Sequence, residues 1–245
     1  LRRLIQDRFA LEVQFCEGRI AYRESICALS EGVGHYEPLR HYAEVHVRLE
    51  PLPLNSGLQI DSSCPLEMAD APTQRTILTY LQGEDLIGVL SGSPLTDMRI
   101  TLTAVKGHEK HTSGGDYREA ARRAVRQGCM MNQSVLLEPM VQFSIRIPHA
   151  VISRIMYDLE QAQAEELLTQ EQGMLTIITG KAAMRFMQSY ANKVQADTKG
   201  KGSFQMQSCG YGKVKHPERI LHEIGYEEQR DVEHQAERPH LNRRE

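Results

Sequence analysis

The sequence predicts an α+β protein built from two domains, and three observations lead to this class. Residues 42–49 alternate between polar and apolar side chains, as the two faces of a half-buried strand require. Residues 71–90 and 117–126 carry apolar side chains at helical spacing. Residues 136–213 show the order strand, helix, strand, strand, helix, strand, which is the ferredoxin-like split βαβ pattern.

Composition excludes several classes of protein. The chain has 245 residues, of which 40% are hydrophobic and 25% charged, and this is ordinary globular composition. A net charge of -3 argues against a protein that coats nucleic acid along its whole surface, so any contact with RNA has to be local. No apolar run approaches the roughly 18 residues that a membrane span needs, and the first ten residues do not form a signal peptide. We therefore expect a cytoplasmic protein without membrane contact.

The five cysteines are odd in number and widely spaced, without a C-x-x-C pair. This pattern favours reduced thiols over a disulfide framework or a zinc site.

The first 28 residues are predicted to be the remnant of another domain. Apolar side chains at helical spacing predict a helix over residues 1–9, and the alternation at Leu11–Phe15 predicts a short strand. A second run, Arg19–Ile26, is expected to pair with that strand. The composition of residues 29–40 indicates a linker.

The first domain begins with the alternating strand, which two prolines end at residues 51–53. Asp70 is the expected N-cap of the first helix. The second strand contains Met98, Ile100 and Leu102, and Asp116 is expected to cap the helix that follows.

After the ferredoxin-like region, residues 216–225 predict one short helix and the remainder a flexible or partner-bound tail. The predicted units are a remnant module (1–28), the first domain (29–135), the second domain (136–213) and a charged C-terminal tail (214–245).

A polar segment, Lys106–Arg118 (KGHEKHTSGGDYR), connects the second strand of the first domain to its second helix. It contains two histidines, two lysines and a Gly-Gly pair, so we predict that it protrudes and contacts a polar partner. On the helix behind it, Arg118, Arg122 and Arg126 stand at i, i+4 and i+8. Such a stripe is usually a solvated helix face, but directly behind a polar loop it is a candidate for phosphate contact.

The sequence contains no constellation that supports catalysis. The phosphate-binding pattern G-x-x-x-x-G-K-[ST] is absent, and Gly200–Ser203 precedes a strand rather than a helix, so we interpret it as a turn. His108 and His111 lie three residues apart, but no third histidine and no cysteine lies nearby to complete a metal site. We therefore expect no enzymatic activity, no cofactor and no metal in this chain.

Several segments together resemble the C-terminal part of elongation factor G-like translational GTPases. RIAYRESI (19–26) resembles the link between the third and fourth domains of that family, and SGSPLTDMRITL (91–102) resembles the strand that enters the tip loop of the fourth. LLEPMVQFSIRIP (136–148) and TKGKGSFQM (198–206) resemble the start and the last strand of its fifth domain.

Within the family, two segments are most similar to the tetracycline ribosomal protection proteins. EPLPLNSGLQ (50–59) resembles their EPLP turn, and HTSGGDYR (111–118) resembles the end of their extended tip loop. His108 falls where elongation factor G itself has a tip histidine.

The resemblance implies a fourth domain with a ribosomal-protein-S5-like β-α-β arrangement, followed by a ferredoxin-like fifth domain. It also implies that the tip of the fourth domain reaches small-subunit rRNA near the decoding centre of the ribosome. The fifth domain is then expected near the GTPase-associated centre. The parent protein is expected to hydrolyse GTP with Mg²⁺ in a G domain that is absent from this chain.

The predicted function is therefore ribosome binding that dislodges tetracycline. The expected rRNA contacts come from two tip loops and the arginine stripe. They are Pro53, Leu54, Asn55, Ser56, Lys106, His108, Glu109, Lys110, His111, Thr112, Ser113, Arg118, Arg122 and Arg126. Two alternatives stay open, namely a translocation factor like elongation factor G and a protein-interaction module that binds no RNA.

Overall fold

In the part of the chain that the structure describes, two sheets, one of four strands and one of five, form the framework. The computed structural model describes residues 1–14, 18–83, 86–108 and 110–227. In chain order the elements are α1 (Arg2–Phe9), β1 (Arg23–Ile26), β2 (Ser30–Tyr36), β3 (Ala43–Pro51), β4 (Leu58–Ser62), α2 (Ala71–Gly83), β5 (Met98–Gly107), α3 (Gly114–Met130), β6 (Ser134–Pro148), a 3₁₀ turn (His149–Val151), α4 (Ile152–Gln161), β7 (Glu165–Gln172), β8 (Leu175–Ala183), α5 (Met184–Met187), α6 (Tyr190–Asp197), β9 (Ser203–Lys213) and α7 (Pro217–Ile224).

The first domain is the four-stranded sheet in the order β2-β3-β5-β4, together with α2 and α3. Strands β4 and β5 are parallel and α2 connects them, which is the β-α-β arrangement that the resemblance implies. The alternation predicted for β3 is confirmed, because Ala43, Val45, Val47 and Leu49 are all fully buried. Strand β4 carries no strong strand pattern, and the sequence did not predict it.

Residues 30–36 form strand β2 rather than the predicted linker. The strand lacks the usual apolar side chains because it packs against α3 through its own backbone. A Cβ atom on Gly32 would lie 2.0 Å from the carbonyl oxygen of Ala124, and one on Gly34 would lie 1.8 Å from that of Ala120. Only glycine allows the strand and the helix to approach this closely.

Strand β1 connects the two domains. It pairs antiparallel with the start of β6, so it belongs to the second sheet, while Ile26 packs into the core of the first domain. The predicted pairing of this run with a strand at Leu11–Phe15 is wrong, because residues 11–14 form no strand and Phe15 lies outside the described residues. The helix predicted at residues 1–9 is confirmed as α1.

The second domain confirms the ferredoxin-like prediction. Strand β6 pairs with β9 on one edge and with β8 on the other, and β7 follows β8, all antiparallel. Apolar side chains of β6, β8, α4 and α6 form its core, with Phe143, Ile155 and Val194 at most 2% exposed. The predicted second helix is divided into α5 and α6, with Gln188 and Ser189 between them.

The C-terminal helix α7 confirms the helix predicted after Lys215. Pro217 occupies its first turn, and Ile220 is buried against Leu136 and Val214. Residues 228–245, where a tail was predicted, lie outside the described part of the chain. Among the helices that the structure describes, each is too short or too polar to cross a membrane.

Candidate functional site

The two predicted contact loops lie at opposite ends of the first sheet. Ala43 pairs with Gly107 at one end of β3 and Pro51 pairs with Met98 at the other, a separation of roughly 26 Å at 3.3 Å per residue. We call the first end the tip, formed by residues 37–42 and 108–113, and the second end the base, formed by residues 52–57. The prediction that residues 53–56 share a tip with the histidine segment is therefore wrong.

The histidine segment is shorter and more ordered than a freely protruding loop. Strand β5 runs to Gly107 and α3 begins at Gly114, so six residues connect them. The rings of His108 and His111 are in contact, with centroids 4.6 Å apart and planes tilted by 32°, and the backbone N–H of Lys110 donates to His108 Nδ1 at 3.2 Å. Glu109, another predicted contact residue, lies outside the described residues.

Thr112 ties this segment to the neighbouring strand. Its hydroxyl donates to the carbonyl oxygen of Tyr42 at 2.5 Å and accepts from the N–H of His108 at 2.6 Å. The N–H of Tyr42 donates in turn to the carbonyl oxygen of His111. Thr112 is thus a structural residue of the tip.

Ser113 and Asp116 form the capping box at the start of α3. The N–H of Ser113 donates to Asp116 Oδ2 at 2.7 Å, so the N-cap lies three residues before the predicted Asp116. The ring nitrogen Nδ1 of His41 lies 3.0 Å from the same carboxylate oxygen. Burial alone raises the pKa of Asp116, but the hydrogen bonds from Ser113 and His41 outweigh it and lower this pKa below its ordinary value.

Lys106 is engaged within the protein at the end of β5. Its ammonium lies 2.7 Å from Glu44 Oε1 on β3, and the same oxygen lies 2.7 Å from His46 Nε2. The hydrogen bonds from Lys106 and then His46 lower the pKa of Glu44 from 4.5 to about 2.

Because the pKa of Glu44 is lower in the folded state, its charge stabilises the protein above pH 4.5, and this contribution is lost as the pH falls to about 2. We expect Glu44→Gln to lower the melting temperature at pH 7 and to flatten its decline between pH 4.5 and pH 2. The measurement is thermal unfolding across this range. Glu37→Gln is the control, since that carboxylate lies at the same end with its side chain 63% exposed. Equal declines in wild type and Glu44→Gln would contradict the assignment.

The arginine stripe of α3 does not form one solvated face. Arg118 is exposed in the first turns, and Arg122 Nη2 lies 2.6 Å from Glu119 Oε2. Arg126 is only 4% exposed, and its Nη2 donates to the hydroxyl of Tyr226 at 3.0 Å. Burial beside Tyr226 therefore argues against phosphate contact by Arg126.

The sequence missed the second half of the tip, the turn at residues 37–42. The N–H of His41 donates to the carbonyl oxygen of Pro38, Arg40 has a φ of 66°, and Leu39 is 96% exposed. Only part of the signal was present, because Pro38 in a short polar segment directly before the alternating strand β3 is typical of a turn. Misassigning β2 as a linker concealed it.

A cleft of about 650 Å³ lies between this turn and the histidine segment. Its polar lining includes Arg40, His41, His108 and His111, together with one carboxylate, that of Glu37, which lies 3.3 Å from His35 Nε2. Among the described residues, neither Arg40 nor Lys110 forms an ion pair, and both are exposed. No three metal-ligating side chains gather in the described ranges. The tip therefore offers exposed cations and ring nitrogens suited to binding an anionic, hydrogen-bonding partner.

The base residues have a different environment. Pro53, Leu54, Asn55 and Ser56 are all exposed, and the side chain of Asn55 is also hydrogen-bonded to the backbone of Tyr211 on β9. Through Asn55, this loop contacts the second domain.

Comparison with known proteins identifies both domains. Residues 18–133 match the family model described as elongation factor G, domain IV, and residues 135–219 match that described as elongation factor G C-terminus. Elongation factor G 2 from Syntrophus aciditrophicus (strain SB) is 25% identical over 207 residues, which cover 83% of this chain and 31% of that protein. The narrower resemblance to tetracycline protection proteins gains no support from these matches.

A crystal structure of a protein from Thermus thermophilus has the same fold, with a TM-score of 0.77 and 23% identity over 91% of this chain and 34% of that one. The chain thus spans about a third of the length of the relatives it matches. Over residues 18–219, the chain consists of a domain of the elongation factor G domain IV family followed by a domain of the elongation factor G C-terminal family.

Proposed function

We propose that this chain is the ribosome-binding C-terminal region of a translational GTPase of the elongation factor G kind. The order and extent of the two matched domains support this proposal. In it, GTP and Mg²⁺ bind to a G domain outside these residues. The region described here contributes binding and orientation rather than chemistry.

The tip carries the proposed contact with small-subunit rRNA near the decoding centre. The observation behind it is a pair of exposed cations beside His108 and His111: Arg40 lines the same cleft as these histidines, and Lys110 lies between them in the sequence. Cations at a protruding end bind phosphates, and imidazole nitrogens add hydrogen bonds to bases or sugars. Because the whole chain has a net charge of -3, its attraction to RNA phosphates has to be local, and we place it at the tip. The second domain is proposed to lie near the GTPase-associated centre.

Displacement of tetracycline is a narrower second candidate. One of the two segments that resemble the protection proteins, residues 111–118, lies in and beside the tip. The other, residues 50–59, leads to the base and to contact with β9. Only one of the two similar segments lies at the proposed contact, so we favour a role in translocation over displacement of tetracycline.

Ribosome binding by the tip is tested by co-sedimentation of this chain with ribosomes at increasing salt. We expect the double variant Arg40→Glu, Lys110→Glu to bind at least about tenfold more weakly and with a shallower salt dependence, since two phosphate contacts become repulsive. The control is Arg75→Glu, which makes one such charge reversal at an exposed position on α2 of the same domain.

Equal binding by wild type and the double variant would overturn the tip assignment. Absence of wild-type binding at low salt would favour the remaining alternative, a protein-interaction module that binds no RNA. The two ribosomal roles are separated on the full-length protein by comparing its translocation activity with its rescue of tetracycline-stalled translation.

A further inference from the structure

Asn55 forms a two-point contact between the domains. It lies in the base of the first domain, and its Oδ1 accepts from the N–H of Tyr211 at 2.6 Å. Its Nδ2 donates to the carbonyl oxygen of the same residue at 3.3 Å. The side-chain amide therefore pairs with the backbone of β9 much as a neighbouring strand would.

The chemistry of this contact is specific for asparagine. The φ of Asn55 is 66°, in the left-handed region that asparagine tolerates better than most side chains. Aspartate keeps the acceptor but lacks the donor, so its carboxylate would face the carbonyl oxygen of Tyr211. On the other side, Gly210 has a φ of 101°, and a Cβ there would lie 2.4 Å from Asn55 Oδ1.

The base loop is tied to the first sheet, because Asp97 is hydrogen-bonded to both ends of the loop. The carbonyl oxygen of this buried residue accepts from the N–H of Leu52 at 2.8 Å, and its Oδ1 accepts from that of Gly57 at 2.9 Å. The same carbonyl oxygen accepts from the hydroxyl of Ser25 on β1 at 3.2 Å. The loop cannot shift without disturbing β5, which leads directly to the tip.

A small rotation at the base produces a large movement at the tip. Over the roughly 26 Å between the two ends, a rotation of about 10° displaces the tip by about 5 Å. Strand β1 also connects the domains, so loss of the Asn55 contact would loosen their orientation without separating them.

We propose that Asn55 is a positioning residue that fixes the orientation of the tip relative to the second domain. The sequence alone assigned this exposed residue to rRNA contact, and the structure adds a contact of its side chain with the second domain. This proposal is independent of what the tip binds.

The test is a distance measurement between spin labels carried by noncanonical amino acids at Leu39 in the tip and Met174 in the second domain. These side chains are 96% and 86% exposed, so the labels disturb no core. In the full 245-residue chain we expect Asn55→Gly, which keeps the left-handed backbone, to at least double the width of the distance distribution. Ser56→Ala is the control and should match wild type.

Asn55→Asp is the second variant, since it retains the acceptor for Tyr211 and should give an intermediate width. A merely structural role would lower the melting temperature without widening the distribution, so both are recorded. A wild-type width for both Asn55 variants would overturn the proposal. That outcome leaves ribosome co-sedimentation unaffected, so the two proposals fail separately.

Discussion

Replacing Gly34 with alanine is expected to lower the free energy of unfolding by about 3 kcal/mol, the upper end of the usual cost of overpacking. The added methyl group would lie 1.8 Å from the carbonyl oxygen of Ala120 and 2.4 Å from the backbone nitrogen of Ala124. Both neighbours are backbone atoms in the middle of α3, so no side-chain rotation relieves the contact. The helix has to move away from β2, which opens the core of the first domain.

The measurement is urea unfolding of this variant followed by circular dichroism. Gly83→Ala at the end of α2 is the matched control, because a Cβ there meets no atom within 4 Å and the helix favours alanine over glycine. The control should equal or slightly exceed wild type in stability. If Gly34→Ala unfolds within about 0.5 kcal/mol of wild type, the close packing of β2 on α3 is contradicted.

Gly34 also shows why part of the fold was predictable and part was not. Strand β3 was predictable because its sequence alternates between apolar and polar residues, and the apolar ones face the core. Val45 and Val47 are fully buried. Strand β2 is buried through its backbone against a helix that comes much later in the chain. No pattern in the sequence of residues 30–36 indicates that contact, because two glycines in a polar run are also typical of a linker.

The site was only partly predictable for a related reason. Helical spacing correctly placed Arg118, Arg122 and Arg126 on one side of α3, but it does not reveal what packs on that side. Tyr226, which is 100 positions after Arg126, covers it. The contact of Asn55 with Tyr211 was not predictable, because a polar turn next to prolines has the same sequence pattern whether it meets only solvent or another domain.

The second large effect is expected at Glu24, a fully buried carboxylate on β1. Its Oε1 accepts from the N–H and hydroxyl of Ser91, both at 2.7 Å, and from the N–H of Ser93 at 3.1 Å. Its Oε2 accepts from the N–H of Leu90 at 2.9 Å. Backbone bonds of Glu24 to Pro94 and Thr96 hold the same loop. The carboxylate thus organises the segment between α2 and β5 around the strand that joins the domains.

Glu24→Ala is expected to cost about 4 kcal/mol, because several buried donors lose their acceptor at once and a cavity remains. Glu24→Gln should cost about 2 kcal/mol, since either orientation of the amide turns its NH₂ group toward at least one donor. Urea unfolding measures both. Glu31→Ala on β2, where the side chain is exposed, is the control and should stay within about 0.5 kcal/mol of wild type.

The ranking of these variants distinguishes a hydrogen-bonding role from simple space filling. Glutamine has nearly the same volume as glutamate, so a cavity effect alone predicts that Glu24→Gln behaves like wild type. A donor-acceptor conflict predicts an intermediate loss instead. The amide has little freedom to turn away, because the side chain lies against Gly88 so closely that a Cβ there would be 2.0 Å from Glu24 Oε2. Equal stability of Glu24→Gln and wild type would therefore contradict the proposed role of the carboxylate, whatever the cost of the alanine variant.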